Sequence, residues 1–223
     1  MRLTYYELNF TIELKRGGLF SIILESPAIF EHFLVSLHGQ LGKECSAFAL
    51  SEDEKELELI KCCDLVISPF DLTFAKKEIS KKLFAELEAA AQEQELVSEL
   101  SEIYGSLFGV LEKLRFAADY EIEYNSDFAV SDILKNCGVH LTDPAGLYVE
   151  KLIDYMIVMH KLLKKELFII ANCSGYLDEE DYEHIEKAVA HYDLCIVFVE
   201  NRQLRLPKIK KEYIIDKDLC EIH

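Results

Sequence analysis

An apolar run, "LFSIIL" (residues 19–24), passes through Glu25-Ser26-Pro27 directly into an amphipathic stretch that ends near residue 41. A buried strand turning so tightly into a helix is the opening unit of a nucleotide-binding α/β fold. In such proteins that turn is glycine-rich, with backbone N–H groups and a lysine cradling phosphates. Here the turn contains neither glycine nor lysine, and no G-x-x-x-x-G-K-[ST] occurs anywhere in the chain. The frame points to α/β, and the missing loop argues against ATP or GTP hydrolysis.

The rest of the chain fits that frame. "YYELNFTIEL" alternates like a half-buried strand, and Arg16-Gly17-Gly18 makes a turn before the apolar run. Residues 28–41 form a helix with Ile29, Phe33 and Leu37 on one face. "SAFALSE" and "KCCDLVISP" read as strands around an acidic segment. In the second half, "ELFIIANC" and "LCIVFVEN" are nearly continuous apolar runs, the pattern of parallel strands covered on both faces. A helix over 146–165 precedes the first, and "YLDEEDYEHIEKAVAHY" lies between them, with Asp178 placed to cap its helix. "KIKKEYIIDKDLCEI" closes the chain with short edge strands.

Between these halves the period changes. Apolar residues fall at 72, 75, 79, 83, 87 and 90, then at 96, 100, 103, 107, 110 and 114. The second set alternates three- and four-residue steps, the seam of one helix packed along another. Residues 71–118 therefore read as a long antiparallel helical arm, its stripes packed on each other, inserted into an α/β body of residues 1–70 and 119–223. After the arm, "YEIEYNSDFAVSDILKNCGV" reads as a short strand, a loop and a helix ending at Gly138.

Composition narrows the function. No apolar run approaches the roughly 18 residues of a membrane span, and the first residues lack a basic-then-apolar leader, so a cytoplasmic, membrane-free protein is expected. The seven cysteines are odd in number and form no C-x-x-C, which favours reduced thiols over disulfides or zinc. A formal charge of −17 argues against a simple nucleic-acid binder unless the basic residues are segregated.

Two groups of side chains remain. Asp119, Glu121 and Glu123 would share one face of a strand, with Asp127 and Asp132 brought close by the following loop. Such a row is either a solvated acidic edge or a site for a hard cation such as calcium, which takes oxygen ligands. A metal-dependent nuclease would use similar residues, but no catalytic motif accompanies them. The basic residues cluster at Lys76, Lys77, Lys81 and Lys82, at Lys161, Lys164 and Lys165, and at Arg202, Arg205, Lys208, Lys210 and Lys211. Each cluster alone is an ordinary solvated face; against so acidic a remainder, the first and third are the expected DNA-contacting residues. The histidines form no catalytic or ligating arrangement.

The segments "LKRGGLFSIILESPAIF", "YEIEYNSDFAVSDILKNCGV", "LLKKELFIIANCSGYLDEEDY", "LCIVFVENRQ" and "YIIDKDL", in this order and spacing, resemble the CRISPR-associated adaptation protein of type II-A systems. The resemblance implies a degenerate P-loop NTPase body, like the head of an ABC-type ATPase, with a helical arm. It implies a non-enzymatic, ring-shaped homotetramer that binds the ends of linear double-stranded DNA without sequence preference. Calcium would stabilise the ring, and its ligands would lie in the region of "YEIEYNSD", where Asn125-Ser126 replace residues often acidic in relatives. The implied setting is spacer acquisition, alongside the adaptation integrase and the RNA-guided nuclease. The competing expectation from the acidic surface is a protein-interaction scaffold without DNA binding of its own.

Overall fold

The computed structural model describes residues 1–93, 96–125, 129–203, 209, 211–218 and 221–222. They form two compact units, one of residues Met1–Thr73 and Asp143–His223, the other of Phe74–Thr142. The arm expected to end at residue 118 is thus continued, within the second unit, by the segment through 142.

The first unit begins with β1 (Arg2–Tyr5), β2 (Phe10–Glu13), β3 (Gly18–Leu24) and α1 (Pro27–Leu41). Next come β4 (Phe48–Glu52), β5 (Lys55–Leu57), the single turn α2 (Leu59–Cys62) and β6 (Cys63–Val66). The acidic segment after β4, which carried no regular element in the sequence reading, holds β5 and α2. β1, β2, β4 and β5 make an antiparallel sheet in the order β2-β1-β4-β5.

Chain order in the second unit supplies α3 (Lys77–Glu93), α4 (Val97–Ala117) and α5 (Val130–Asn136). The chain then returns to the first unit with α6 (Tyr148–Leu163), β7 (Leu167–Ala171), α7 (Glu179–His191), β8 (Cys195–Glu200), β9 (Lys211–Ile215) and β10 (Glu221–Ile222). The second sheet runs β10-β9-β3-β8-β7-β6, with every pairing parallel except β9–β10. β3, which carries the apolar run "LFSIIL", lies between β8 and β9. β7 and β8 are buried along their whole length, as continuous apolar runs require in a sheet covered on both faces.

One core joins the two sheets of this unit. Tyr5 stacks on Phe48 with centroids 4.6 Å apart, and Phe33 of α1 meets both rings edge-on. Phe20, Ile22, Leu24, Ile169, Val197 and Tyr213 complete it from the parallel sheet. Arg16 ties the sheets at their rim. Its guanidinium binds both oxygens of Glu52, at 2.9 and 2.8 Å, and one oxygen of Glu166 at 2.7 Å. These bonds hold the Glu52 carboxyl below its ordinary range. α7 starts as expected: the Asp178 carboxylate accepts the Asp181 N–H at 2.9 Å, and Asp181 returns the bond at 3.0 Å.

Three expectations need correction. The arm's first helix starts at Lys77 rather than Leu72, because residues 72–74 alternate: Leu72 and Phe74 are buried, and the Thr73 hydroxyl between them donates to Asp143 at 3.0 and 3.1 Å. Residues 119–125 form no strand, since no neighbouring strand pairs with them among the described residues. The α4 stripe is not packed within the arm. Of its six residues only Leu96 and Leu100 are half-buried; Ile103, Leu107, Val110 and Leu114 are 40–59 % exposed, and beyond Leu100 it is Tyr104, Phe108 and Leu111 on the adjoining face that are half-buried.

Candidate functional site

At the end of β3 the backbone is committed to the protein itself. Glu25 N–H donates to Ile215 at 3.0 Å, and the Ser26 carbonyl accepts the Phe30 N–H at 2.9 Å as α1 begins at Pro27. Proline at the first helical position brings no N–H to offer a phosphate.

The neighbouring edge of the sheet is filled by a carboxylate. Glu200, the last residue of β8, is fully buried. One of its oxygens accepts the N–H groups of Cys173 and Ser174 at 2.8 and 3.0 Å, and the other accepts the Ser174 hydroxyl at 3.2 Å. The chain enters this turn through Asn172, which adopts the left-handed conformation. Successive backbone N–H groups in such a turn form an anion-binding nest; here the protein supplies its own anion. Burial, reinforced by Glu200, pushes the Cys173 thiol well above its ordinary value, and burial likewise raises Tyr182 and Tyr148. All three stay protonated at neutral pH, so none is a ready nucleophile or base. The sequence shows only that the apolar run of β8 ends in an acidic residue; the engagement of Glu200 with the β7 turn is not legible there.

The acidic group lies in the second unit. Glu121 and Glu123 are exposed and alternate with half-buried Ile122 and Tyr124, so the expected two-residue alternation persists without a ladder. Asp119 is exposed as well. Glu121, Glu123, Arg115 and Tyr120 are among the residues lining a concavity of about 670 Å³. Its wall is fixed by Tyr124, whose hydroxyl donates to Glu112 and whose ring stacks on Phe108 at 5.9 Å. Asp132 is otherwise engaged: it accepts the Ala129 N–H at 3.3 Å and the Lys135 ammonium at 3.2 Å, which together lower its pKa. Asp127 lies outside the described residues. Among the described residues no group of three or more His, Cys, Asp or Glu is gathered to hold a metal ion. The oxygens of Glu121 and Glu123 have the right chemistry for calcium, but these two alone fall short of its usual six to eight ligands.

The lysines of α3 are arranged differently. Lys77, Lys81 and Lys82 are exposed and carry no ion pair among the described residues. Lys77 and Lys81 are one helical turn apart, opposite buried Ile79. Half-buried Lys76 joins them in lining a shallow concavity of about 460 Å³. In the first unit Arg202 is exposed after β8, and Lys211 lies over the Tyr213 ring at 4.4 Å. Arg205, Lys208 and Lys210 are outside the described residues. Lys165 is structural, donating to the carbonyls of Ile60 and Cys63.

Fold and site thus define a class: an α/β body built on a mainly parallel six-stranded sheet, without a phosphate-binding loop motif, and a helical second unit that carries the exposed α3 lysines. The family model described as CRISPR-associated protein (Cas_Csn2) matches residues 40–219, and the chain belongs to that family of type II-A CRISPR-associated proteins. CRISPR-associated protein Csn2 of Streptococcus agalactiae is 24% identical over 210 residues, which cover 88% of this chain and 90% of that one. The crystal structure of Stu0660 of Streptococcus thermophilus shares the fold, with a TM-score of 0.61 at 15% identity over 89% of this chain and 68% of that one. A putative ABC transporter ATP-binding protein from Pyrococcus furiosus superposes at a TM-score of only 0.37, too loosely to carry an argument. The family is not known as an enzyme class. No helix among the described residues is long and apolar enough to cross a membrane.

Proposed function

We propose that this protein binds the ends of linear double-stranded DNA, without sequence preference and without catalysis, as a calcium-stabilised homotetrameric ring. It would serve CRISPR spacer acquisition in the cytoplasm, beside the adaptation integrase and the RNA-guided nuclease. The observation that carries this reading is the exposed Lys77, Lys81 and Lys82 face of α3, which forms no ion pair among the described residues, in a chain of formal charge −17. A lysine row that forms no ion pair among the described residues, although Glu78 lines the same concavity, leaves charge for an external anion. In the first unit Arg202, Arg205, Lys208, Lys210 and Lys211 are further candidates for phosphate contact.

Self-association is supported by α4. Ile103, Leu107, Val110 and Leu114 make a seam with four-three-four spacing, and the seam is exposed. Glu99 and Glu102 precede it and Lys113 and Arg115 close it, so a second α4 pairs with better charge matching when antiparallel. Calcium would draw on Glu121 and Glu123, with Asp119, Asp127 and Asp132 as the further candidates; binding there would relieve repulsion among the carboxylates.

The test compares retention of linear and covalently closed circular duplex, each with calcium or chelator. Retention of linear DNA alone, lost with chelator, is expected. Replacing Lys77, Lys81 and Lys82 by Gln should lower the slope of log affinity against log salt by up to about 2.7 per DNA-contacting chain, at roughly 0.9 per phosphate contact. Equal binding to closed circles would refute end loading. An unchanged slope in the triple variant would remove α3 from the DNA contact, and no binding to either DNA would leave the scaffold reading.

A further inference from the structure

α1 carries apolar residues on more than one face. Phe33 and Leu37 are buried in the core, and Phe30 and Leu34 pack partly against it. Val35 remains 62 % exposed, and Ile67, just beyond β6, is 45 % exposed. A helix apolar around most of its circumference is normally covered around most of it; here the described residues of the first unit leave one side open. Phe30, Leu34, Val35 and Ile67 form the apolar lining of a groove of about 470 Å³. Glu31, His38 and Glu44 are its exposed polar residues, two carboxylates to one imidazole, with the Glu44 carboxylate lying near Gly39 towards the far end of α1. From Phe30 to Gly39 the groove follows about 14 Å of helix, at 1.5 Å per residue.

The geometry points to this groove as a docking surface for a basic amphipathic helix of a partner protein. Charge selects that occupant. A second copy docked groove to groove would bring Glu31 and Glu44 of one molecule against the same carboxylates of the other. Nucleic acid and anionic lipid are repelled by Glu31 and Glu44, and nucleic acid has no use for the apolar lining. An aliphatic helix face flanked by arginine or lysine satisfies both the lining and the rim, in the helix-in-groove mode. This surface lies on the α/β body and uses none of the α3 lysines proposed to contact DNA.

The test uses a fluorescein-labelled peptide of about twelve residues, long enough to cover the groove as a helix. It carries leucines at i, i+3, i+4 and i+7 and arginines on the other positions. One control scrambles the order at constant composition; another replaces arginine by glutamate. The patterned basic peptide should bind the full chain about tenfold or more tightly than the scrambled one, a difference read by anisotropy. Val35→Asp and, separately, Ile67→Asp should abolish that preference, and both tolerate the change because the sites are exposed. Glu31→Arg with Glu44→Arg should transfer the preference to the acidic peptide. Retention of linear DNA should be the same in all variants, so failure here is separable from failure of the DNA reading. Equal binding of patterned and scrambled peptides would overturn the proposal, as would wild-type binding by both Asp variants. A fall in the sedimentation coefficient of Val35→Asp protein alone would also overturn it, by making a second copy the occupant.

Discussion

The buried carboxylate of Glu200 offers the sharpest test of how the β7 turn is held. In Glu200→Ala, three donors lose their acceptor: the N–H groups of Cys173 and Ser174 and the Ser174 hydroxyl. Hydrogen bonds to charged groups contribute roughly 1.5–3 kcal/mol each, net of desolvation, so about 4.5–9 kcal/mol is the upper bound for three independent bonds. The three share one carboxylate and one turn, so their contributions do not add in full. A destabilisation of about 2–5 kcal/mol is expected, or roughly 5–15 °C in Tm for a chain of this size. Glu200→Gln keeps one oxygen for the two N–H groups, and the Ser174 hydroxyl can reverse to accept from the amide. It should cost only about 1–2 kcal/mol.

Chemical denaturation at fixed protein concentration measures the two losses, and amide exchange at Cys173 and Ser174 locates them. The alanine variant should release both amides, the glutamine variant much less. An alanine variant within about 0.5 kcal/mol of wild type would refute the claim that the carboxylate holds the turn. Equal losses in the two variants would show that its charge, rather than its acceptor geometry, is what counts.

Other consequences can be checked with single variants. Because Arg16 lowers the folded-state pKa of Glu52, the ion pair stabilises the protein fully above the unfolded carboxyl value of about 4.3 and loses that contribution as pH falls through the lower folded value. Arg16→Met should therefore cost about 1–3 kcal/mol at neutral pH and flatten the acid limb of the stability curve, measured by denaturation between neutrality and acid. Leu107→Glu with Val110→Glu should shift sedimentation to smaller species while changing the stability of the isolated chain by no more than about 0.5 kcal/mol, since both residues are substantially exposed. Gly146 has φ +103°, and a Cβ there would collide with the Glu150 carboxylate that accepts the Leu147 N–H at 2.9 Å. Gly146→Ala should cost about 1–3 kcal/mol and loosen the first turn of α6, seen as faster exchange at Leu147.

What the sequence revealed depended on whether a pattern was decided locally. β7 and β8 were legible because five or six consecutive apolar residues suit a strand covered on both faces. α7 was legible because Asp178 stands one residue before it. Residues 72–76 misled because Leu72 and Ala75 open a three- and four-residue stripe, whereas burial follows the alternation of Leu72 and Phe74 and the helix begins only at Lys77. The α4 seam was found, but periodicity cannot distinguish a partner within the chain from one outside it. Glu121 and Glu123 point as alternation predicts, yet a ladder needs a neighbouring strand, and local sequence does not report one. The role of Glu200 depends on a turn 26 residues earlier in the chain, a pairing fixed only when β7 and β8 lie side by side.

The apparent conflict between a charge of −17 and DNA binding depends on distance. At 0.1 M ionic strength the Debye length is about 10 Å, so a phosphate near α3 senses Lys77, Lys81 and Lys82 and little of the distant acidic surface. Lys77 and Lys81, one turn apart, are within about 6 Å of each other at Cβ and act together over that range. At 0.01 M the length grows to about 30 Å, and the acidic remainder of the chain enters the same field. A basic protein gains affinity steadily as salt falls. This one should gain affinity down to an intermediate concentration and then level off or lose it, because attraction from three lysines saturates while repulsion from the net charge becomes unscreened. Titrating linear duplex from about 0.3 M down to 0.01 M salt at constant calcium tests the argument over the range where screening changes. A straight log–log line to the lowest concentration would mean that the DNA contact is far more extensive than the α3 lysines, and that the acidic surface lies beyond its reach at every ionic strength.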